Sequence, residues 1–163
     1  MGYVMGFIDA EASFSVSVKI QKDTAYGVRI DPVFSIAQQE RRPLELIRSI
    51  ISAGRIIRKP GQEHLWLLII DNISELSNKL IPFLDENSEL LLVKERPYRI
   101  FRRIVAALSR KEHRKAERLK ELVKLAYELS KLNPKAKRRK NLDQVLKLIN
   151  SRVAERGELP GER

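Results

Sequence analysis

With 163 residues, of which 43% are hydrophobic and 33% charged, the chain has the length and composition of one globular domain and not of a disordered protein. The balance of 32 Lys and Arg against 21 Asp and Glu leaves a net charge of +11, which favours a polyanionic partner, nucleic acid or an anionic membrane surface. With no cysteine and only 2 histidines, disulfides and thiolate sites are excluded and a zinc centre lacks ligands, so any metal should be a hard, oxygen-ligated ion such as Mg²⁺.

The chain opens on Gly2-Tyr3-Val4-Met5-Gly6-Phe7-Ile8-Asp9-Ala10-Glu11-Ala12-Ser13-Phe14, a short apolar helix that runs into two carboxylates and then into an alternating strand. Gly6 and Ala10 lie one helical turn apart and leave a face with almost no side chain, where a second helix can approach closely. Asp9 and Glu11 fall near the helix C-terminus, where the macrodipole disfavours negative charge unless a cation compensates. Ser13 to Gln21 then alternates, with Phe14, Val16, Val18 and Ile20 on one face and serines, Lys19 and Gln21 on the other, as a half-buried strand does. Residues 22–27 read as a hairpin loop into a second strand through Val28, Ile30, Phe34 and Ile36, where Pro32 predicts a bulge or an edge position. Arg42 to Ala53 has helical periodicity, stopped by Gly54. A second hairpin follows, Arg55–Arg58 turning at Pro60-Gly61 into His64–Ile70, and then a helix over Ile73–Leu84 with Asp71 or Asn72 as its cap.

The order helix-strand-strand-helix-strand-strand-helix predicts an α+β fold with helices packed on one face of a curved antiparallel sheet, followed by C-terminal helices over about 97–154. Residues 1–154 form the expected single domain and 155–163 a flexible tail. The last helix is expected to start at Asn141, with Gln144 in the capping-box position. The other sheet face is expected to be polar and basic and to lie in the DNA major groove, with Ser15, Ser17, Lys19, Gln21, Arg29, Asp31, Ser35 and Arg58 reading bases or phosphates. The basic run Lys135–Lys140, including Lys137, Arg138 and Arg139, is a candidate phosphate-contacting loop. No apolar run is long enough to span a bilayer and no signal-peptide pattern opens the chain, so an intracellular protein without a membrane partner is expected. A basic RNA-binding protein of ribosomal type would fit the charge, but needs neither paired acids at a helix end nor a bare helix face.

Val4-Met5-Gly6-Phe7-Ile8-Asp9-Ala10-Glu11-Ala12 resembles the signature of the LAGLIDADG homing endonucleases, with Met5 where a small residue is usual and Ala12 where glycine is usual. The resemblance covers residues 2 to 108 in layout. It implies a site-specific double-stranded DNA endonuclease that hydrolyses phosphodiesters with Mg²⁺ and leaves 3′ overhangs. By the same resemblance Glu11 holds the catalytic metal, helped by the carbonyl of Ala10, with Asp9 given less weight as a ligand. Gln38 corresponds to the water-positioning polar residue and Arg42 to a nearby basic residue, with Arg41 the rival if the register slips by one. Lys94 fits the recurring lysine before the next helix, and Arg96 is the alternative. One copy of the motif implies a homodimer, with Val4, Gly6, Phe7 and Ala10 at the twofold interface, an intron-encoded origin and a near-palindromic target. The alternative on the same fold is a non-cleaving or bifunctional intron RNA maturase, for which intron RNA is the partner, or a DNA-binding regulator.

Overall fold

Strict alternation in the strands builds the sheet. The computed structural model describes residues 1–133 and 140–157. Helix α1 (Gly2–Glu11) passes without a loop into β1 (Ala12–Ile20), which pairs antiparallel with β2 (Val28–Gln38) in continuous register from Ala12↔Ile36 to Ile20↔Val28. After α2 (Arg41–Ile51), β3 (Arg55–Lys59) and β4 (Gln62–Ile70) complete a four-stranded sheet of order β1-β2-β4-β3. Pro32 produces no bulge; it sits opposite Val16 in the stretch of β2 that β4, which begins its pairing at Phe34↔Ile70, does not reach. There β2 has an open side, so the missing proline N–H is tolerated.

Period 2 puts Ala12, Phe14, Phe34, Ile36, Leu68 and Ile70 on the buried face, which the helices cover. Phe14 is the centre of an aromatic cluster, with ring centroids 5.4 Å from Phe34, 5.6 Å from Tyr98 and 5.2 Å from Phe101. Tyr98 and Phe101 belong to α5 (Glu95–Ser109), whose buried stripe also includes Ile104, Val105 and Leu108. Helices α6 (Ala116–Lys131) and α7 (Leu142–Glu155) pack beyond it. The expected last helix is thus in place, although its cap is the Asn141 side chain accepting from the Asp143 N–H at 2.8 Å.

The helix expected over Ile73–Leu84 is in three parts: α3 (Ile73–Glu75), capped by the Asn72 side chain, a π-helical turn Leu76–Leu80, and α4 (Ile81–Glu86). Pro82 lies in the first turn of α4, and the wider preceding turn accommodates its missing N–H and its ring. Asp85 at its far end takes both the Tyr98 hydroxyl, at 2.6 Å, and the Arg102 guanidinium, which fastens α4 to α5. The hydrogen bond from Arg102 holds the Asp85 carboxyl below the usual range, against the opposing effect of burial. Gly54, at φ +85, precedes β3 where an added Cβ would lie 2.6 Å from the Ile69 carbonyl oxygen, so only glycine fits.

One contact joins the two ends of this architecture. Asp9, the only buried charged residue among the described residues, accepts the backbone N–H of Val93 at 2.9 and 3.0 Å and that of Lys94 at 2.8 Å. Lys94 is the N-cap residue of α5, so a carboxylate from α1 satisfies donors that α5 cannot satisfy itself. Replacing Asp9 by Ala should strand these donors and destabilise the fold by about 1–3 kcal/mol, read as a lowered denaturation midpoint, whereas Asn should retain part of the loss.

Candidate functional site

The C-terminal end of α1, the end of β2, the first turn of α2 and the N-cap of α5 converge at one end of the sheet. Because β1 begins at Ala12 opposite Ile36, Gln38 closes β2 at the same sheet end as Glu11. The hydrogen bond from the Lys94 N–H to Asp9 fixes the Lys94 backbone two residues from Glu11 in α1. Arg42 occupies the exposed first turn of α2. Four residues from distant parts of the sequence, Glu11, Gln38, Arg42 and Lys94, are thereby gathered by four different elements. Among the described residues, none of their side chains has a hydrogen bond or ion pair with another part of the chain, unlike Arg41, Arg55 and Arg102, which are held by acids.

The two acids of the motif are separated by their surroundings. Asp9 is buried, and its two oxygens accept from the backbone N–H groups of Val93 and Lys94, which commits it to joining α1 to α5. Glu11 is exposed. Ala10 is exposed beside it, in the last turn, where helix carbonyls lack intrahelical donors. No cluster of three or more acidic or histidine side chains occurs among the described residues.

The outward sheet face carries Ser15, Ser17, Lys19, Arg29, Asp31 and Ser35 as expected from their parity, with Gln21 just past β1. Two features depart from the expected polar surface. Over β4 the same face presents Leu65, Leu67 and Ile69, an apolar strip between the polar β1-β2 half and Arg55 of β3. Arg58 is not in the outward row: it pairs with Trp66, which pairs with Gln38, on the face that bears Leu68. Its guanidinium stacks 3.7 Å from the centre of the Trp66 ring, and that of Arg41 lies 4.8 Å from the same ring. Arg41 also pairs with Glu45 at 2.6 Å, so it is committed and Arg42 is the free cation of the two. Sequence reading missed Trp66; its one signal was a lone tryptophan, and the pairing that sets it between Arg58 and Gln38 and under Arg41 requires the fold to be known. Lys137, Arg138 and Arg139 lie outside the described residues.

Of the interface candidates, Val4 is buried in the chain's own core with Met5 and Ile8. The outward stripe of α1 is instead Tyr3, Gly6, Phe7 and Ala10, with the Tyr3 and Phe7 rings 6.0 Å apart. Tyr3 is 60% exposed, and Leu92 and Val93, beside the Asp9 contact, are 82% and 70% exposed. Among the described residues no helix is long and apolar enough to cross a membrane.

Comparison with known proteins matches this arrangement. The model of the LAGLIDADG endonuclease family matches residues 4–105. The chain is 46% identical over 164 residues to homing endonuclease I-ApeII of Aeropyrum pernix, an alignment covering 99% of this chain and 96% of that one. DNA endonuclease I-CeuI of Chlamydomonas moewusii is 28% identical over 72% of this chain and 56% of its own length. The solved structure of the archaeal intron-encoded homing endonuclease I-Vdi141I, complexed with DNA, has a TM-score of 0.90 at 46% identity and covers 94% of this chain and 96% of its own. The motif helix, the sheet and the segment leading into α5 all fall within the matched region, and the chain belongs to the LAGLIDADG endonuclease family.

Proposed function

We propose that this protein is a homing endonuclease that cleaves both strands of a long, near-palindromic DNA site as a homodimer, leaving 3′ overhangs, with Mg²⁺ held at Glu11. The observation that carries the reading is the contrast between the motif's acids: Asp9 is consumed in joining α1 to α5, while Glu11 is left exposed and unpaired beside Gln38, Arg42 and Lys94. The DNA-bound relative at 46% identity supports double-stranded DNA as the substrate.

Glu11 and the carbonyl of Ala10 are the hard oxygen donors suited to a divalent ion, and phosphate oxygens of the substrate would complete the set. Bound there, the metal would lower the pKa of a water and offset charge on the phosphate. The chain's own residues do the rest of the positioning. Gln38 orients the attacking water in line with the phosphorus, and the P–O bond opposite it breaks. Arg42 and Lys94 place fixed positive charge beside the phosphate oxygens, where negative charge increases in the transition state. Because each chain brings one Glu11, cutting both strands requires a second copy. Changing Glu11 to Gln should lower cleavage of a cognate duplex in Mg²⁺ by roughly 10³-fold or more while leaving binding intact; equal cleavage by the variant would remove Glu11 from the site.

The stripe Tyr3, Gly6, Phe7 and Ala10 is the proposed twofold contact, extended by Leu92 and Val93. A Cβ built on Gly6 meets no atom within 4 Å inside the chain, so nothing in the monomer requires glycine there. Gly6→Leu should therefore fold as well as or better than the parent, since glycine costs a helix about 1 kcal/mol. Its mass by light scattering should nevertheless shift from dimer to monomer, with loss of double-strand cleavage. A folded, dimeric and active Gly6→Leu would place the interface elsewhere.

Trp66 acts in this scheme as a positioning residue. Stacked with Arg41 and laddered to Gln38, it ties the end of β2 to the first turn of α2 and so sets the approach of Gln38 and Arg42. Trp66→Ala should lower single-turnover cleavage about ten-fold or more with a smaller change in DNA affinity, and Trp66→Phe should restore most of it. A uniform loss of affinity with unchanged cleavage of bound DNA would instead make the stack a DNA contact.

A further inference from the structure

On the outward face, far from Glu11, four side chains are organised before any DNA arrives. Lys19 and Arg29 face each other across β1 and β2, with Asp31 opposite Ser17 one step along. Arg29 donates its Nε–H to Asp31 Oδ1 at 2.6 Å and reaches Gln21 Oε1 through Nη1 at 3.5 Å. Lys19 Nζ lies 3.0 Å from the other oxygen of Asp31, an atom that solvent does not reach. The Asp31 side chain is 19% exposed and that of Arg29 55%, so the carboxylate is the support and the guanidinium is the group presented.

Resting on the reading of this face as a DNA surface, we propose that Arg29, oriented by Asp31, selects a guanine at one fixed position in each half of the target. With Nε tied down, the planar fork is restrained in rotation, and its four Nη hydrogens stay available apart from the long contact of Nη1 with Gln21. Two donors at a fixed spacing match the O6 and N7 acceptors of guanine in the major groove, and no other base edge offers that pair. A backbone phosphate makes less use of this arrangement, because it needs only positive charge and not a fixed fork, and Asp31 already offsets part of the charge of Arg29 and Lys19. Asp31 itself cannot read a cytosine amine through the oxygen that Lys19 covers.

The register also locates the base. Lys19, opposite Arg29, is eight residues beyond Glu11 in β1. At about 3.3 Å per residue and 3.4 Å per base pair, with a strand that follows the groove rather than the helix axis, the guanine lies roughly 6–8 base pairs outward from the cleaved phosphate. A twofold dimer repeats it at the mirror position.

The test is selection from a randomised duplex library by the full chain, without Mg²⁺, comparing the parent with Arg29→Lys and Asp31→Asn, and salt titration of Arg29→Ala. The expected result is a guanine enriched at one symmetric pair of positions at that spacing. Arg29→Lys, which keeps the charge and loses the fork, should lose roughly ten-fold or more of this preference with the rest of the site unchanged. Asp31→Asn should weaken the preference at the same position. If Arg29→Ala instead weakens every sequence alike and reduces the salt slope by about one, Arg29 is a phosphate contact and the proposal fails. If Arg29→Lys leaves every preference intact, it also fails. If the parent itself selects no duplex, the reading of the sheet as a DNA surface falls first, and this assignment with it.

Discussion

The carboxylate of Asp9 on the backbone of Val93 and Lys94 is the constraint on which the rest depends. It satisfies N–H groups at the start of α5 that would otherwise be unpartnered, and it does so from a helix more than eighty residues earlier in the chain. The favourable pairing of a negative charge with one helix N-terminus also offsets the unfavourable placement of that charge at another helix's C-terminus. Two helices with opposite electrostatic needs are brought together by one side chain. Lys94 arrives at the candidate site as a consequence, because its own N–H is one of the donors.

That arrangement also explains why the motif needs two acids rather than one. Successive odd residues at a helix end point in different directions, and here Asp9 turns inward while Glu11 turns out. Burying a charge is acceptable only when it is hydrogen-bonded, which Asp9 achieves with backbone donors alone. Glu11 has no such partner and stays exposed, whereas Asp71 and Asp85 are held by arginines. The structural acid holds the frame still, and the free acid is then presented at a defined place.

Much of this was legible in the sequence because it follows from local periodicity. The alternation at Phe14, Val16 and Val18 and the helical stripe at Phe101, Ile104 and Leu108 need no long-range information, and both elements occur where they should. Glu11, Gln38, Arg42 and Lys94 could be nominated from the motif and its spacing, and the fold gathers their backbones at one end of the sheet. What failed was whatever depended on pairing. Arg58 was assigned to the outer face, but the strand register with Trp66 places it on the other, and a one-residue difference in a strand reverses the face. Val4 was assigned to the interface because it neighbours the bare stripe, yet helical rotation carries it into the core. The π-turn before Pro82 has no short-range signature, whereas the apolar outer face of β4 was written in the unbroken run Leu65–Ile70.

The apolar surface around α1 bears on how such a chain could be arranged. A helix of ten residues contributes Val4, Met5 and Ile8 to its own core, which leaves Tyr3 exposed and Phe7 only partly covered by this chain. Leu92 and Val93 extend the same exposed region because the Asp9 contact holds their backbone against α1. Exposed aromatic and aliphatic side chains grouped around a glycine are what a close helix-to-helix contact requires, and a contact of this face with itself is twofold by construction. In that geometry the same rotation that turns Ala10 toward the second copy carries Glu11, the next residue, to the edge of the contact. The spacing of the two cuts would then be set by how closely two α1 helices approach, which makes Gly6 a determinant of the chemistry although it touches no substrate.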